Sequence, residues 1–250
     1  ETVMNPQKIA LLTDSCADLS VQMVQEYHIF VVPLRILCAD GEYADGVDIH
    51  GADIYRRLHN GELPQTSLPS GAYIEKVLRQ IWEEGYDGVI AVMLSSGLSG
   101  TYNLVRLAAE ECGNLLPVRV FDSVSGSLGQ GATVLQLAED IRGGMSWEEL
   151  TERRAPQLIA NTFPFFSVDT LEYLQKGGRI GKVTATAGTL LQIKPIITFA
   201  DDGQLKSIAK VRGRNQVISK LIELTVQRCD EHRRYNLAVA NGGAPEEMQL

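Results

Sequence analysis

The chain has 250 residues, 44% of them apolar and 22% charged, with 23 glycines and 9 prolines. That composition excludes a disordered chain or a fibre, and the length suits one large domain or two ordinary ones. The formal charge of −8 argues against wholesale nucleic-acid binding, because a phosphate backbone repels an acidic surface.

Strand-like and helix-like runs alternate from the start. Lys8–Thr13 and Ile29–Leu37 read as strands around a helical Leu19–Tyr27. Helices are expected at Ala52–His59 and at Gly71–Glu84, where Tyr73, Val77, Leu78 and Ile81 are read as one face. Strand Gly88–Leu94, helix Thr101–Glu111, strand Val118–Phe121 and helix Gly129–Ile141 follow. Apolar strands with helices between them imply an α/β fold, a mostly parallel sheet covered by helices.

A second unit is expected to open at Gly143-Gly144, dividing the chain into an N-terminal α/β domain, 1–143, and a C-terminal α/β domain, 144–250. Ser146 to Glu149 reads as a capping box. Strands are expected at Phe163–Val168, Pro195–Ala200, Lys206–Val211 and Asn236–Ala240, with a hairpin at Asp201-Asp202-Gly203. Helices fit Thr170–Gln175, Val183–Leu191 and Asn215–Asp230. Pro245 should open a last helix with about one turn of sequence left to build it, so the C-terminal domain is expected to be incomplete.

The longest apolar runs are strand-length, far short of a bilayer span. Residues 1–8 lack the regions of a signal peptide, and Met4 is read as the start. Cys16, Cys38, Cys112 and Cys229 are scattered without a C-x-x-C pair, as expected of small buried thiols in a reducing cytoplasm. The histidines (28, 50, 59 and 232) show no metal spacing.

Ligands of parallel sheets bind beyond the carboxyl ends of the strands. There this sequence places hydroxyls: Thr13-Asp14-Ser15, Ser95-Ser96-Gly97-Leu98-Ser99-Gly100-Thr101, Asp122-Ser123 with Ser125-Gly126-Ser127, and Thr66-Ser67-Leu68-Pro69-Ser70 before a helix. Hydroxyls and free N–H groups at helix starts can hold a carboxylate or phosphate. Ser and Thr are also the preferred N-caps, so any one of them alone reads as a cap, but the doublets exceed what capping needs. Ser15 to Asp18 likewise fits a capping box.

Stronger chemistry is hard to assemble. Gly97-Leu98-Ser99-Gly100 is one residue short of a nucleophile elbow and has no obvious histidine. Gly126 to Gly131 is spaced G-x-x-G-x-G, reversed from the dinucleotide fingerprint, and helix packing explains it as well. Asp14, Asp18, Asp45 and Asp48 could hold Mg²⁺ only with further ligands; a solvated loop is the simpler reading. A site rich in donors and poor in acids and bases suits holding an anion better than transforming one.

At these residues the sequence resembles the DegV family of bacterial fatty-acid-binding proteins. The blocks are Thr13-Asp14-Ser15 with Asp18, Thr66 to Ser70, Ser95 to Tyr102, Asp122-Ser123, Leu171 to Ile180, and Leu190 to Ile196. The resemblance implies a two-domain carrier that buries a long-chain fatty acid between its domains, its carboxylate on Thr66 and Ser96, with Ser67, Ser95 and Gly97 as neighbours. It also implies no catalysis by the chain itself: the carrier presents the acid to a separate ATP-dependent fatty acid kinase, and the acyl phosphate feeds phospholipid synthesis. Neither a metal nor a cofactor is expected besides the bound acid, and the protein is expected to be a cytoplasmic monomer. Family members usually close with a further strand and a Gly-rich segment whose histidine reaches the carboxylate, and this sequence ends before it. Phe163, Phe165 and Phe166 are candidates for lining the acyl chain. The enzymatic alternative is a serine-dependent esterase using Ser99.

The charge is unevenly spread. From Lys176 to Arg214 eight basic residues face only Asp201 and Asp202, a local +6 against −14 for the rest. That stretch reads either as a solvated basic face or as a docking surface for the kinase, its phosphorylated product or, transiently, an anionic membrane surface, with Arg179 and Arg212 the foremost contacts.

Overall fold

A computed structural model describes residues 4–183 and 193–248. The chain divides into two compact units that meet at Thr162 and Phe163.

The first unit is built on four parallel strands, β1 (Ile9–Asp14), β2 (Ile29–Val32), β6 (Gly88–Met93) and β7 (Val118–Asp122), in the order β2-β1-β6-β7. Every residue of β1 and β6 is buried, as continuous apolar runs covered on both faces require. On one face Ala10, Leu12, Val89, Ala91 and Met93 pack against α3 (Gly71–Glu83) and α4 (Thr101–Glu111). On the other, Ile9, Leu11, Ile90 and Val92 pack against α5 (Ser127–Arg142). The chain leaves β1 towards β2 on one side and returns to β6 on the other, so the strand order reverses between β1 and β6. Such a reversal opens a crevice at the carboxyl ends of the two strands.

The expected long strand Ile29–Leu37 is two strands. Pro33, which has no N–H to give a ladder, separates β2 from β3 (Arg35–Cys38), and β3 belongs to a different, antiparallel sheet with β4 (Gly41–Ala44) and β5 (Gln65–Ser67). Helices α1 (Val21–Tyr27) and α2 (Gly51–His59) complete this part. In α3 the buried face is Ile74, Val77, Leu78 and Ile81; Tyr73, expected there, is 42% exposed.

The expected boundary after residue 143 falls inside the first unit. Helix α6 (Trp147–Glu149) runs through a π-helical stretch, Leu150–Arg154, into α7 (Ala155–Ala160). Its Leu150 and Ala155 are fully buried in the same cluster as Ile9, Ile90 and Val134. Trp147 lies so close over the start of β6 that a Cβ on Gly88 would stand 2.7 Å from its ring. Ser146 caps α6 as expected, accepting the Glu149 N–H.

In the second unit β8 (Ile193–Phe199) and β9 (Leu205–Arg212) form the expected hairpin, turned at Gly203 with φ +77°. Residues 163–168 make only a one-residue bridge, Phe166 to Ile197, and 236–240 form no strand. The helices are α8 (Glu172–Lys176), α9 (Asn215–Arg228) and the single turn α10 (Pro245–Met248). The Arg228 guanidinium lies 4.4 Å over the Phe163 ring, so that ring is engaged within its own unit. The expected helix Val183–Leu191 and the motif Leu190 to Gln192 lie outside the described residues, Val183 excepted. Among the described residues no helix is long and apolar enough to cross a membrane.

Candidate functional site

The sequences singled out for their hydroxyls gather at the carboxyl ends of β1 and β6, where the strand order reverses. Among them is Asp14, the last residue of β1, which has no exposed surface. The reading of Asp14 as part of a solvated loop is therefore overturned. One carboxylate oxygen accepts the Leu94 N–H at 2.7 Å; the other accepts the Cys16 N–H and the Gln130 amide, both at 3.0 Å. Gln130 also donates to Thr13 Oγ1, 3.0 Å away, which in turn donates to the Val92 carbonyl at 2.7 Å.

Burial lifts the Asp14 pKa above its ordinary value. The N–H of Leu94, the Gln130 amide and the N–H of Cys16 pull against that, and the nearby Asp45 adds to it. The folded protein thus holds this proton more firmly than the unfolded chain. The stability contributed by the group is full at acid pH and is lost as pH rises through the folded pKa. Asp14→Asn sets an NH₂ against incoming N–H groups and is expected to cost on the order of 2 kcal/mol near neutral pH. The gap between wild type and variant in urea midpoint should widen as pH falls; a gap that widens with rising pH contradicts this account.

From Leu94 onward the chain is tied down residue by residue. Leu94 N–H goes to Asp14, Ser95 N–H to the Ser125 carbonyl at 2.8 Å, and Ser96 N–H to Asp122 Oδ1 at 3.2 Å. The next amides turn inward. Gly97 donates to Ser95 Oγ, Leu98 and Ser99 to the Ser95 carbonyl, and Thr101 to Ser99 Oγ. The backbone donors of residues 95–99 and of Thr101 are therefore engaged within the protein. Ser95 is fully buried, whereas Ser96 is exposed.

Thr66 and Ser67 are consecutive residues of β5, both exposed, and they leave the strand on opposite faces. The fold brings their loop to the Ser95–Thr101 loop: Leu68 Cδ2 lies 3.4 Å from where a Cβ on Gly100 would stand. The third hydroxyl loop, after β7, touches the second through Ser125 and Asp122. It carries Val124 and Ser127 at φ +49°, a costly conformation for a β-branched residue and one that concentrates at working sites.

Other readings from the sequence resolve differently. Ser15 does not cap with Asp18. Its hydroxyl accepts the Leu34 N–H at 3.1 Å, Asp14 caps the short 3₁₀ turn Ser15–Ala17, and Asp18 is left-handed at φ +50°. Burial raises the Asp18 pKa, opposed by a hydrogen bond from Ser127. In the reversed motif Gly131 serves packing, since a Cβ there would stand 2.4 Å from the Ala17 carbonyl oxygen. Ser99 Oγ is bonded to Thr101 Oγ1 at 2.8 Å and to the Thr101 N–H, and among the described residues no histidine is its hydrogen-bond partner.

The four aspartates do not gather as metal ligands. Among the described residues the one suitable grouping is Cys38, Asp40 and Glu62, and there Arg57 already bridges both carboxylates at 2.9–3.0 Å. The cysteines are free, and only Cys112 is fully buried. The Cys16 thiol is pushed up by desolvation and by the charges of Asp14, Asp45 and Asp18, which leaves it a poor nucleophile.

In the basic stretch, Lys176 pairs with Glu172, Lys182 with Asp202, and Lys194 and Arg214 with Asp169. Arg179 donates to the Gly177 carbonyl at 2.7 Å. Lys210 and Arg212 are both exposed and stand two apart on β9, on one face of the hairpin.

A parallel sheet with hydroxyl-rich loops at its strand reversal, joined in one chain to a smaller hairpin-and-helix unit, defines an α/β protein of two units. Residues 8–250 match the model of the DegV family, described as an uncharacterised protein family. A DegV domain-containing protein of Clostridium perfringens is 43% identical over 241 residues, 96% of this chain and 84% of the relative. Among solved structures, the fatty-acid-binding DegV family protein of Thermus thermophilus superposes with a TM-score of 0.79 at 32% identity, covering 88% of this chain and 77% of its own. DegV of Bacillus subtilis, described as a fatty acid binding protein, gives 0.79 at 31%, covering 90% and 78%. The chain is a member of the DegV family.

Proposed function

We propose that this protein binds a long-chain fatty acid, its carboxylate held by the Thr66 and Ser96 hydroxyls with Ser67, Ser95 and Gly97 beside them. The observation that carries the reading is the pairing of the two hydroxyl loops at the strand reversal, where the backbone donors of residues 95–99 are already engaged within the protein. The solved relatives described as fatty acid binding support it. Each buried CH₂ is worth about 0.8 kcal/mol, so a C16 chain gains on the order of 10 kcal/mol before ordering costs, enough for the ligand to survive purification.

The protein acts as a cytoplasmic, non-catalytic carrier that presents the acid to a separate fatty acid kinase, the acyl phosphate passing to phospholipid synthesis. Arg179 and Arg212 in the basic stretch are its contacts for that partner or for the product phosphate. The local charge of +6 supports that assignment.

Denaturing the pure protein and analysing the extract by mass spectrometry tests the reading. A stoichiometric C14–C18 acid is expected. No acid, together with ester turnover lost in Ser99→Ala, would instead make the protein an esterase. Thr66→Ala and Ser96→Ala should each weaken retention about tenfold, the cost of one hydrogen bond to a charged group. Unchanged retention in both refutes the carboxylate assignment.

A further inference from the structure

We infer that Gln130 and Asp14 are positioning residues for the acyl headgroup, aiming the Ser96 hydroxyl through the backbone of Leu94 and Ser95 without touching the ligand; the inference rests on the carboxylate reading above.

Three elements converge on one fully buried carboxylate. β1 supplies Asp14 itself, β6 runs into Leu94 N–H, and α5 brings Gln130 from 116 residues away. The Leu94 N–H bonds one Asp14 oxygen at 2.7 Å. It fixes the amide immediately before Ser95, and the next two amides are fixed by Ser125 and Asp122. Ser96 is thereby held by consecutive tethers to β1, to the loop after β7 and to β7.

Gln130 sets the orientation of the first tether. Its NH₂ spans Asp14 Oδ1 and Thr13 Oγ1, both at 3.0 Å, so the carboxylate cannot rotate without losing a donor. The other end of the same amide does nothing comparable: Gln130 Oε1 is buried with no hydrogen-bond partner among the described residues. An unpaired buried acceptor is costly, and an apolar side chain of the same size would avoid that cost. The amide is thus placed for what its nitrogen does to Asp14 and not for packing. Methionine, similar in length and volume, removes that nitrogen and leaves no new orphan at the Oε1 position.

The test compares hexadecanoic acid with hexadecan-1-ol, which shares the chain and lacks the carboxylate, on delipidated full-length protein by displacement of a fluorescent acyl probe. Circular dichroism first shows that each variant is folded at the assay temperature. Gln130→Met should raise the Kd of the acid about tenfold, the loss of one hydrogen bond to a charged group, and leave the Kd of the alcohol unchanged. Asp14→Asn should act in the same direction. If Gln130→Met does not fold, Thr13→Val, which removes only the hydroxyl that Gln130 donates to, is read by the same ratio and should lower the acid's advantage. Acid and alcohol weakening by one common factor, or an unchanged acid Kd in folded variants, overturns the inference. A wild type with no preference for acid over alcohol overturns the carboxylate reading and this inference with it. A wild type that discriminates, with variants that discriminate equally, overturns the positioning role alone.

Discussion

Gly131→Ala should lower the thermal midpoint by roughly 6–12 °C. The added Cβ would stand 2.4 Å from the Ala17 carbonyl oxygen and 3.1 Å from Leu19 Cδ2. The first obstacle is backbone and cannot swing aside, so α5 must retreat from the 3₁₀ turn after β1. Overpacking of that kind costs about 3 kcal/mol, and each kcal/mol moves the midpoint by about 2–4 °C in a chain of this size. Because Gln130 precedes Gly131, the retreat also draws its amide from Asp14, and the variant should hold an acyl ligand less firmly than its stability alone predicts. Differential scanning calorimetry checks the first effect; a midpoint within a degree of wild type would mean that α5 accommodates the methyl in place.

Leu150→Ala is expected to destabilise the protein by about 2–5 kcal/mol, the range for emptying a fully packed leucine site. Leu150 has no exposed surface and lies in the cluster that holds Ile9, Ile90 and Val134. The sequence pattern assigned it to a second domain. Were it part of a loosely attached segment, truncation would cost under 1 kcal/mol, and urea unfolding separates the two outcomes. A fragment ending at residue 143 should for the same reason unfold far more readily than one ending at Thr162, since it strips Trp147, Leu150 and Ala155 from the sheet.

β1 and β6, buried along their whole length, come within one residue of their expected ends, because unbroken apolar runs admit few other readings. The longer helices α3, α4, α5 and α9 come within two residues. The antiparallel sheet escaped because β4 and β5 are short and polar: all three residues of β5 are exposed, so no alternation marks it as a strand. Where Pro33 splits Ile29–Leu37, the break was written in the sequence, but the second half joins a sheet whose other members were invisible. The domain boundary was misplaced because Gly143-Gly144 is a true helix end, with φ +90° at Gly144, and a helix end resembles a linker. Of the site, the hydroxyls and their grouping could be read directly, since loops at strand ends are local. The role of Asp14 could not, because its partners at Leu94 and Gln130 are 80 and 116 residues away.

That separation sets a timetable. During synthesis Asp14 emerges early and remains hydrated, where its negative charge costs little. Its last hydrogen-bond donor is added 116 residues later, on the order of ten seconds at 5–20 residues per second. Until α5 closes over the sheet, Asp14 has only the N–H groups of Cys16 and Leu94 to satisfy it and resists burial. The buried network around Asp14 is therefore complete only once α5 has joined the sheet.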